Sequence, residues 1–385
     1  MPFRRLRRGT LRVGKASYDC GVVTNPILTI AVPTFERDQS LSKCLSLLLP
    51  LLIEHRKKLE LIILDNASTD NTASVVERFL AALPPGIKVK SFRHEQNIGM
   101  SENILACVER SAGKYFMFIG DDDMLYPEGL QSALSLLERD DAASSILQGH
   151  WPNYGVSREQ TDSIEPLESL DYFFFAGNAS AAISRTSFMK EALKSFRKYK
   201  SLKGNIWPQT FLIFHSIFAH PESPPLISSF PHGAMINENW IVRPDKKYTL
   251  RIIEDLLDVA VALRPSVGTA PPPREFFTGQ TGRFFEGQIR LVVNRSLRDI
   301  DGTSTSRLFW KLAVHRIPVP MVLRVRMLLT RVPRVFLALT VLDLLAKGGP
   351  RAARQFLIDL RAQRSDYRAE VRSAPVTGLR VRDFC

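Results

Sequence analysis

The sequence has 385 residues, of which 45% are hydrophobic and 24% are charged, and it carries a net charge of +13. This composition is typical of a folded globular protein, and the length predicts two domains or one large domain with an appendage. The four cysteines are widely spaced without a CxxC pattern, which argues against a metal–thiolate site or a disulfide framework and favours a reducing compartment.

The positive charge lies at the two ends of the sequence. Residues 1–15 contain six Lys or Arg and no acid, and residues 303–385 contain 16 Lys or Arg against 5 Asp or Glu, whereas residues 16–302 have a net charge of −4. Basic ends favour anionic partners, such as a membrane surface or nucleic acid, or simply a solvated exterior. Because no apolar run follows the first basic residues and no uncharged stretch approaches the roughly 20 residues of a membrane span, we expect a cytoplasmic protein.

Short apolar runs alternate with longer segments of helical spacing from residue 27 to about 145. They predict strands at 27–33, 59–65, 87–94 and 114–120, and helices at 40–55, 68–83, 97–112 and 127–138. Pro50 is expected to kink or end the first helix. This alternation predicts an α/β fold with a mainly parallel sheet, helices on both faces, and a ligand site at the carboxyl ends of the strands.

The remainder of the sequence is less regular. Residues 145–245 predict further strands and a helix, with a Pro-rich loop at 220–233, and the sequence beyond residue 245 is helical and basic. We therefore expect a basic N-terminal segment (1–25), an α/β domain (26–245) and a basic α-helical C-terminal region (246–385).

Polar residues follow each predicted strand of the first half. The four strand ends are PTFER (33–37), DNASTD (65–70), NIG (97–99) and DDD (121–123). Three consecutive carboxylates exceed what a solvated turn needs, and their spacing lacks the alternate ligands of an EF-hand loop. A site for Mg²⁺ or Mn²⁺, shared with substrate phosphates, explains the triplet best because these cations prefer carboxylate oxygens.

The same motifs carry a family resemblance. The segments LTIAVPTFERD, LELIILDNASTDNT, QNIGMSEN and GKYFMFIGDDDMLYPEGL resemble, in order and rough spacing, those of family 2 glycosyltransferases, which have the GT-A fold. The resemblance covers about residues 27–140. It implies a metal-dependent, inverting transfer of a sugar from a nucleoside diphosphate sugar to an acceptor hydroxyl, in bacterial polysaccharide or glycolipid synthesis.

The resemblance also assigns residue roles by position. The expected nucleotide-sugar contacts are Pro33, Thr34, Phe35, Glu36, Asp65, Asn66, Asn97, Gly99, Asn103 and Asp121. Phe35 is expected to stack on the base, and Asp122 and Asp123 are expected to bind the metal, with Asp122 the stronger candidate. Gly120 stands where many relatives carry the first acid of their DXD motif.

The general base is the least determined part of the site. Relatives commonly place it in an acidic pair roughly ninety residues after the metal motif, but the corresponding segment here, NIWPQTFLIFHSI (205–217), contains no acid. The candidates are Glu238, Asp171 and His215, and a lone His on an apolar helix is more often structural.

The C-terminal region raises the question of a membrane partner. Residues 321–364 alternate apolar runs with Arg, which fits either a helix in a membrane interface or an amphipathic helix packed on the catalytic domain. A lipid-linked or glycan acceptor at the inner face of the cell membrane would suit the first reading, and no nucleic acid partner is expected. The alternatives are a non-catalytic basic scaffold and a nucleotidyltransferase, whose first loop would need glycine where PTFERD has none.

Overall fold

The computed structural model describes residues 26–139, 143–148, 163–174, 176, 180, 182–228, 233–235, 246–279, 281–283, 285–287, 289, 303–317, 350–351 and 354. The chain separates into two compact units. One comprises Met1–Val242 with Asp258–Pro272, and the other comprises Arg243–Leu257 with Pro273–Cys385. The predicted boundary between residues 245 and 246 stays a prediction.

The first unit is built on a seven-stranded sheet. The described strands are β1 (Leu28–Thr34), β2 (Leu59–Asp65), β3 (Val89–Arg93), β4 (Tyr115–Phe118), β5 (Asp123–Leu125), β6 (Ser145–Gln148), β7 (Ala182–Arg185), β8 (Leu226–Ser228) and β9 (Gly233–Met235). The sheet order is β3-β2-β1-β4-β7-β6-β8, and only β7 pairs antiparallel to its neighbours among these seven strands. The prediction of a mainly parallel sheet is therefore confirmed.

Seven of the described helices lie between residues 38 and 266. They are α1 (Asp38–Glu54), α2 (Thr72–Ala81), α3 (Met100–Arg110), α4 (Pro127–Arg139), α5 (Thr186–Phe196), α6 (Pro208–Ala219) and α7 (Lys246–Ser266). Pro50 does not end α1, because Leu51 and Leu52 of the last turn are buried in the core and hold it in place. The four helices predicted in the first half are thus present; α2 and α3 are shorter than predicted, whereas α1 and α4 are each one residue longer.

Three short strands were not predicted. The Pro-rich segment 220–233, expected to be a loop, contains β8, whose three buried residues pair in parallel with β6. β5 begins at Asp123, the last residue of the acidic triplet, and pairs antiparallel with β9. Each of these strands is only three residues long, which is too short for a periodic pattern to identify.

Alternate residues of the central strands face opposite sides of the sheet. Leu28, Ile30 and Val32 join a core that also contains buried residues of α1, α2 and α4. Thr29 and Ala31 face the other side, where α3 contacts β1 and β2. Because both faces are covered, the central strands are almost fully buried and their sequences are mostly apolar.

Glu60, the second residue of β2, is a buried charge whose burial the sequence pattern did not reveal. It is 2% exposed. Its Oε2 accepts hydrogen bonds from Thr29 Oγ1 (2.7 Å) and the Ala112 N–H (3.1 Å), and its Oε1 pairs with Lys90 Nζ. This network joins β1, β2, β3 and the turn before β4, so it fixes the alignment of the strands that form the site.

The described parts of the C-terminal region are mainly helical. They include α7, a 3₁₀ turn at Pro273–Phe277 and a helix at Thr303–Val314. None of the helices in the described ranges is long and apolar enough to cross a bilayer. Except for residues 350, 351 and 354, the basic segment 321–364 lies outside the described residues, and its predicted membrane contact stays a prediction.

Candidate active site

Parallel pairing brings the predicted strand ends to one edge of the sheet. Thr34 is the register partner of Asp65, which is in turn the partner of Arg93. β4 pairs with β1 as far as Phe118, so the acidic triplet emerges beside the end of β1. A hydrogen bond of 2.7 Å from Thr34 Oγ1 to Asp121 Oδ2 joins these two ends directly.

The loop after β1 presents one apolar ring to solvent. Pro33 is half-buried within the strand and Thr34 is buried, whereas Phe35 is 40% exposed. A large aromatic side chain at this exposure costs some apolar burial in the isolated protein, and its π face is available for stacking. The predicted base-stacking role of Phe35 is compatible with this placement.

The loops after β1 and β2 are locked to each other. The Glu36 N–H donates to Ser68 Oγ (2.9 Å), and Glu36 Oε1 accepts hydrogen bonds from the N–H (2.7 Å) and Oγ1 (2.9 Å) of Thr69. Glu36 and Ala67 have positive φ angles of 54° and 64°. Such backbone conformations are uncommon for residues other than glycine, and they persist where surrounding contacts enforce them, often at functional sites. Glu36 therefore fixes the conformation of the loops after β1 and β2 through both its backbone and its side chain.

Asp65 and Asn66, at the end of β2, form hydrogen bonds with two different loops. Asp65 Oδ1 accepts hydrogen bonds from the N–H (2.9 Å) and Oγ (2.6 Å) of Ser68, and its Oδ2 lies 3.4 Å from Arg93 Nε. Asn66 Nδ2 donates to Asn97 Oδ1 (2.8 Å), and its Oδ1 accepts from the Ile98 N–H (2.9 Å). Asn66 is thereby held by the loop before α3.

That loop needs a glycine. Asn97 Oδ1 accepts a second hydrogen bond from the Gly99 N–H (2.8 Å), and Gly99 has φ 87° and ψ 154°, a region open essentially to glycine alone. Asn103, predicted to close the nucleotide pocket, is buried in α3 and donates from Nδ2 to the Leu64 carbonyl (3.1 Å). The Asn103 side chain therefore ties α3 to the end of β2.

The acidic triplet contains two buried carboxylates and one that is partly exposed. Asp121 and Asp123 are 8% and 5% exposed, whereas the Asp122 side chain is 25% exposed. Arg37 Nη1 lies 2.7 Å from Asp122 Oδ2 and 3.8 Å from Asp121 Oδ1. Asp123 Oδ2 accepts from the Gly120 N–H (3.2 Å).

The glycine before the triplet has a steric reason. A Cβ at Gly120 would lie 2.9 Å from Asp123 Oδ2 and 3.0 Å from Asp122 Oδ1, closer than real Cβ atoms normally approach other atoms. The folded carboxylates therefore occupy the space that an acidic side chain at this position would need.

Burial raises the pKa values of two carboxyl groups of the triplet and of a neighbouring thiol. Burial, opposed by the Thr34 hydrogen bond and the Arg37 charge, raises the pKa of Asp121 to about 6. Burial together with the charge of Asp122 raises the pKa of Asp123 to about 6. Burial, and then the neighbouring aspartates, raises the pKa of the Cys44 thiol, which donates to the Gly120 carbonyl at 3.7 Å. Because burial is the largest cause in each case, a negative charge is unfavourable here, and a nearby cation would stabilise the ionised carboxylates.

The donor set fits a hard divalent cation. Within the described residues, no group of three or more His, Cys, Asp or Glu is arranged as a complete metal site. Mg²⁺ commonly takes only one or two protein carboxylates and completes its coordination with phosphate and water oxygens. Asp122, partly exposed, and Asp123, buried beside it, supply carboxylates of this kind, and the pairing of Asp122 with Arg37 shows that the cluster accepts a positive charge.

The three predicted base candidates have different positions. Asp171 is half-buried in a 3₁₀ helix, Glu168–Tyr172. His215 is 3% exposed on α6, packs against the Phe211 ring, and its Nδ1 has no hydrogen-bond partner among the described residues. Burial lowers the pKa of His215 to about 4, which suits a structural neutral imidazole. Glu238 lies outside the described residues.

Two arginines at the strand ends were not recognised as site residues. Arg37 reaches the acidic triplet, and Arg93 Nη2 donates to the Ser68 carbonyl at 2.6 Å while its Nε faces Asp65. Arg37 stands four residues after the strand predicted at 27–33, and Arg93 lies within the strand predicted at 87–94, so the only sequence signal was a basic residue near a strand end. Their partners are 85 and 25 residues away, so only the sheet register brings them together.

Known proteins resemble this chain in sequence and in fold. Residues 29–213 match the model of the family described as Glycosyl transferase family 2. The uncharacterized protein MT1568 of Mycobacterium tuberculosis is 25% identical over 107 residues, which are 28% of this chain and 31% of that protein. The uncharacterized glycosyltransferase YibD of Escherichia coli is 24% identical over 124 residues, 32% of this chain and 34% of that protein. The match thus spans about a third of the length of these two relatives.

Solved structures extend the likeness beyond the family model. The crystal structure of S. aureus TarS 1–349 has a TM-score of 0.52 and 16% identity, and the likeness covers 89% of this chain and 91% of that one. The same protein in complex with UDP-GlcNAc has a TM-score of 0.51 and 15% identity. At these identities the likeness shows the fold, and it confirms the predicted fold class. Residues 29–213 therefore form a domain that matches glycosyl transferase family 2 and has the GT-A fold.

Proposed function

We propose that this protein transfers a sugar from a nucleoside diphosphate sugar to an acceptor hydroxyl, with inversion and with Mg²⁺ or Mn²⁺ bound at Asp122 and Asp123. The observation that carries the proposal is the strand-end edge, where the Thr34–Asp121 hydrogen bond unites β1 and β4 and the register unites β1 with β2. This edge combines an exposed aromatic ring, an ordered amide pair and a carboxylate cluster that needs a cation.

The donor's nucleoside half fits the part of the edge formed by β1, β2 and the loop before α3. Phe35 supplies a stacking surface, and the Asn66–Asn97 pair supplies amide groups of fixed orientation. Asp121 is the expected partner for a ribose hydroxyl, because a carboxylate accepts strongly from hydroxyl donors. The TarS complex with UDP-GlcNAc, which shares this fold, supports a nucleotide sugar as the class of donor.

The diphosphate is the leaving group and develops negative charge as its bond to the anomeric carbon breaks. Bound at Asp122 and Asp123, a divalent cation would supply electrostatic stabilisation for that charge. The chain's own contribution is to hold these carboxylates close together, with Asp123 buried and Asp122 partly exposed. Asp123 is fixed by the Gly120 N–H and by β5, so its position does not depend on a bound ligand.

The acceptor hydroxyl attacks the anomeric carbon from the face opposite the diphosphate, which inverts its configuration. A general base is expected to take the hydroxyl proton. Asp171 and Glu238 remain the carboxylate candidates, and the buried, low-pKa imidazole of His215 supports a structural role for that residue. A glycan or lipid-linked acceptor, a place in polysaccharide or glycolipid synthesis, and a position at the inner membrane face are further parts of the proposal, for which the basic C-terminal sequence is the support.

A thermal-shift screen tests the proposal. The full chain is heated with a panel of nucleotide sugars, each with and without Mn²⁺ or Mg²⁺. A ligand present at about 100 times its Kd stabilises the fold by about 2.7 kcal/mol, which is measurable as a rise in Tm. We expect at least one nucleotide sugar to raise Tm, and to do so more strongly with metal.

Asp122→Asn provides the matched variant, because it removes the charge and retains the shape of the side chain. It should lose the metal-dependent part of the shift. Glu77→Gln removes an equivalent charge from the exposed surface of α2 and should behave as wild type. If no nucleotide sugar stabilises the wild type, the proposed function is wrong. If Asp122→Asn keeps the full metal-dependent shift in Tm, the proposed metal site is wrong.

A further inference from the structure

Arg37 is the cation of the acidic triplet in this structure. Its guanidinium lies 2.7 Å from Asp122 Oδ2 and 3.8 Å from Asp121 Oδ1. The same Asp122 is the leading metal ligand of the proposed function, on which this inference rests. An arginine and a divalent ion that both use this carboxylate must compete for it.

The backbone and the side chain of Arg37 differ in how firmly they are held. The Arg37 carbonyl accepts from the Leu41 N–H (2.9 Å) at the start of α1, and the preceding Glu36 is tied to Ser68 and Thr69. The Arg37 side chain is 48% exposed and the Asp122 side chain is 25% exposed. Ion pairs this exposed contribute little to stability, so a ligand can displace the guanidinium without disturbing the loop.

We propose that Arg37 is a displaceable counter-cation, which neutralises Asp122 in the empty site and turns to the donor's diphosphate when a divalent ion takes that carboxylate. A guanidinium binds phosphate oxygens through paired N–H donors, in the way that it binds a carboxylate. Arg37 is therefore a positioning residue for the donor, and metal binding and diphosphate binding are coupled through its movement.

Two binding measurements with opposite expected signs test this inference. Mn²⁺ binding without nucleotide is followed by the EPR signal of the free ion, for the wild-type chain and Arg37→Ala. Removal of the competing guanidinium should tighten Mn²⁺ binding about two- to fivefold, the equivalent of one exposed ion pair. Nucleoside diphosphate binding at saturating Mn²⁺ is followed by calorimetry with UDP, GDP, ADP, CDP and dTDP. Loss of a charged hydrogen bond should weaken it about tenfold or more.

Two control variants separate this effect from general electrostatics. Arg56→Ala removes one exposed positive charge from the α1–β2 turn and should change neither affinity. Arg37→Lys keeps the charge without the planar fork and should fall between wild type and Arg37→Ala for the nucleotide. Since Arg37 is half exposed, both substitutions should leave Tm near the wild-type value, and Arg37→Lys carries the test if Arg37→Ala unfolds.

The outcomes distinguish this inference from the proposed function. Tighter Mn²⁺ binding together with weaker nucleotide binding in Arg37→Ala supports the inference. Unchanged or weaker Mn²⁺ binding, or a nucleotide affinity equal to that of the wild type, overturns the inference alone. A wild-type chain that binds none of the five nucleoside diphosphates with Mn²⁺ contradicts the proposed function and this inference with it.

Discussion

Asp123→Asn should make the metal-free protein more stable at neutral pH. Asp123 is 5% exposed, and burial and the charge of Asp122 raise its pKa to about 6 from an ordinary value of 3.8. At pH 7.5 the folded protein must keep this carboxylate ionised in an environment that disfavours the charge. The isosteric amide removes that charge and can still accept the hydrogen bond from the Gly120 N–H.

The magnitude follows from the pKa difference. One pKa unit corresponds to 1.36 kcal/mol between the two protonation states, so a rise of about two units sets an upper bound of about 3 kcal/mol. Relaxation of the pocket lowers this value, and we expect a gain of about 1–3 kcal/mol. For a domain of this size the gain corresponds to a Tm increase of roughly 2–10 °C.

The pH dependence gives the prediction its specificity. A carboxyl group with a raised pKa in the fold takes up its proton earlier in the folded than in the unfolded state, so wild-type stability from this group increases as the pH falls from above 6 to about 4. Wild type and Asp123→Asn should therefore differ most at pH 7.5 and become similar near pH 4. Tm is measured across this range in metal-free buffer, with Glu77→Gln as the surface control.

Adding Mn²⁺ should reverse the order of stability of wild type and Asp123→Asn. Mn²⁺ should stabilise the wild type and have little effect on Asp123→Asn, because the variant lacks one of the two proposed ligands. The reasoning is refuted if Asp123→Asn is less stable than wild type at pH 7.5, or if its advantage is the same at pH 4 and pH 7.5. Either result would mean that the buried carboxylate is satisfied in the fold without a cation.

Three further substitutions test other parts of the account. Phe35→Ala should raise the Kd for a nucleoside diphosphate about 5- to 100-fold, as expected for a lost base–aromatic stack, with little change in Tm because the ring is 40% exposed; calorimetry measures the first and thermal unfolding the second. Gly120→Ala should destabilise the fold by about 1–3 kcal/mol, because its Cβ would lie 2.9 Å from Asp123 Oδ2, whereas Gly268→Ala, whose Cβ meets nothing within 4 Å, should be close to neutral in the same unfolding assay. His215→Gln should gain stability relative to wild type as the pH falls from 7 to 4. Burial lowers the His215 pKa to about 4, so the unfolded wild-type chain binds a proton in this range that the folded chain does not bind. A difference in the free energy of unfolding that stays constant over this range would contradict the interpretation of His215 as a buried neutral imidazole.

The sheet could be predicted from the sequence because its strands are buried on both faces. Continuous apolar runs such as LTIAVP and LIILD have few other structural explanations, and the polar residues after them mark the edge where a parallel sheet binds ligands. The position of the acidic triplet at this edge was predictable because the triplet follows the buried strand β4. Three adjacent carboxylates repel one another, which is why the sequence suggested a cation there.

Other features depend on distant partners that a single sequence does not reveal. Glu60 looks like an exposed residue of an alternating pattern, and its burial becomes favourable only through Thr29, Lys90 and the Ala112 N–H. The contact of Arg37 with Asp122 joins residues 85 positions apart. β8 is stabilised by the edge of β6 and not by its own three-residue sequence, which is why the prolines before it misleadingly indicated a loop.

A crystal structure of the full chain with Mn²⁺ and the nucleotide sugar that raises its Tm most would test the central claim most directly. The account predicts an anomalous Mn²⁺ peak within coordination distance of Asp122 or Asp123, diphosphate density beside it, and the base against the Phe35 ring. A nucleotide sugar bound away from the edge formed by β1, β2 and β4, or a metal peak elsewhere in the chain, would contradict it.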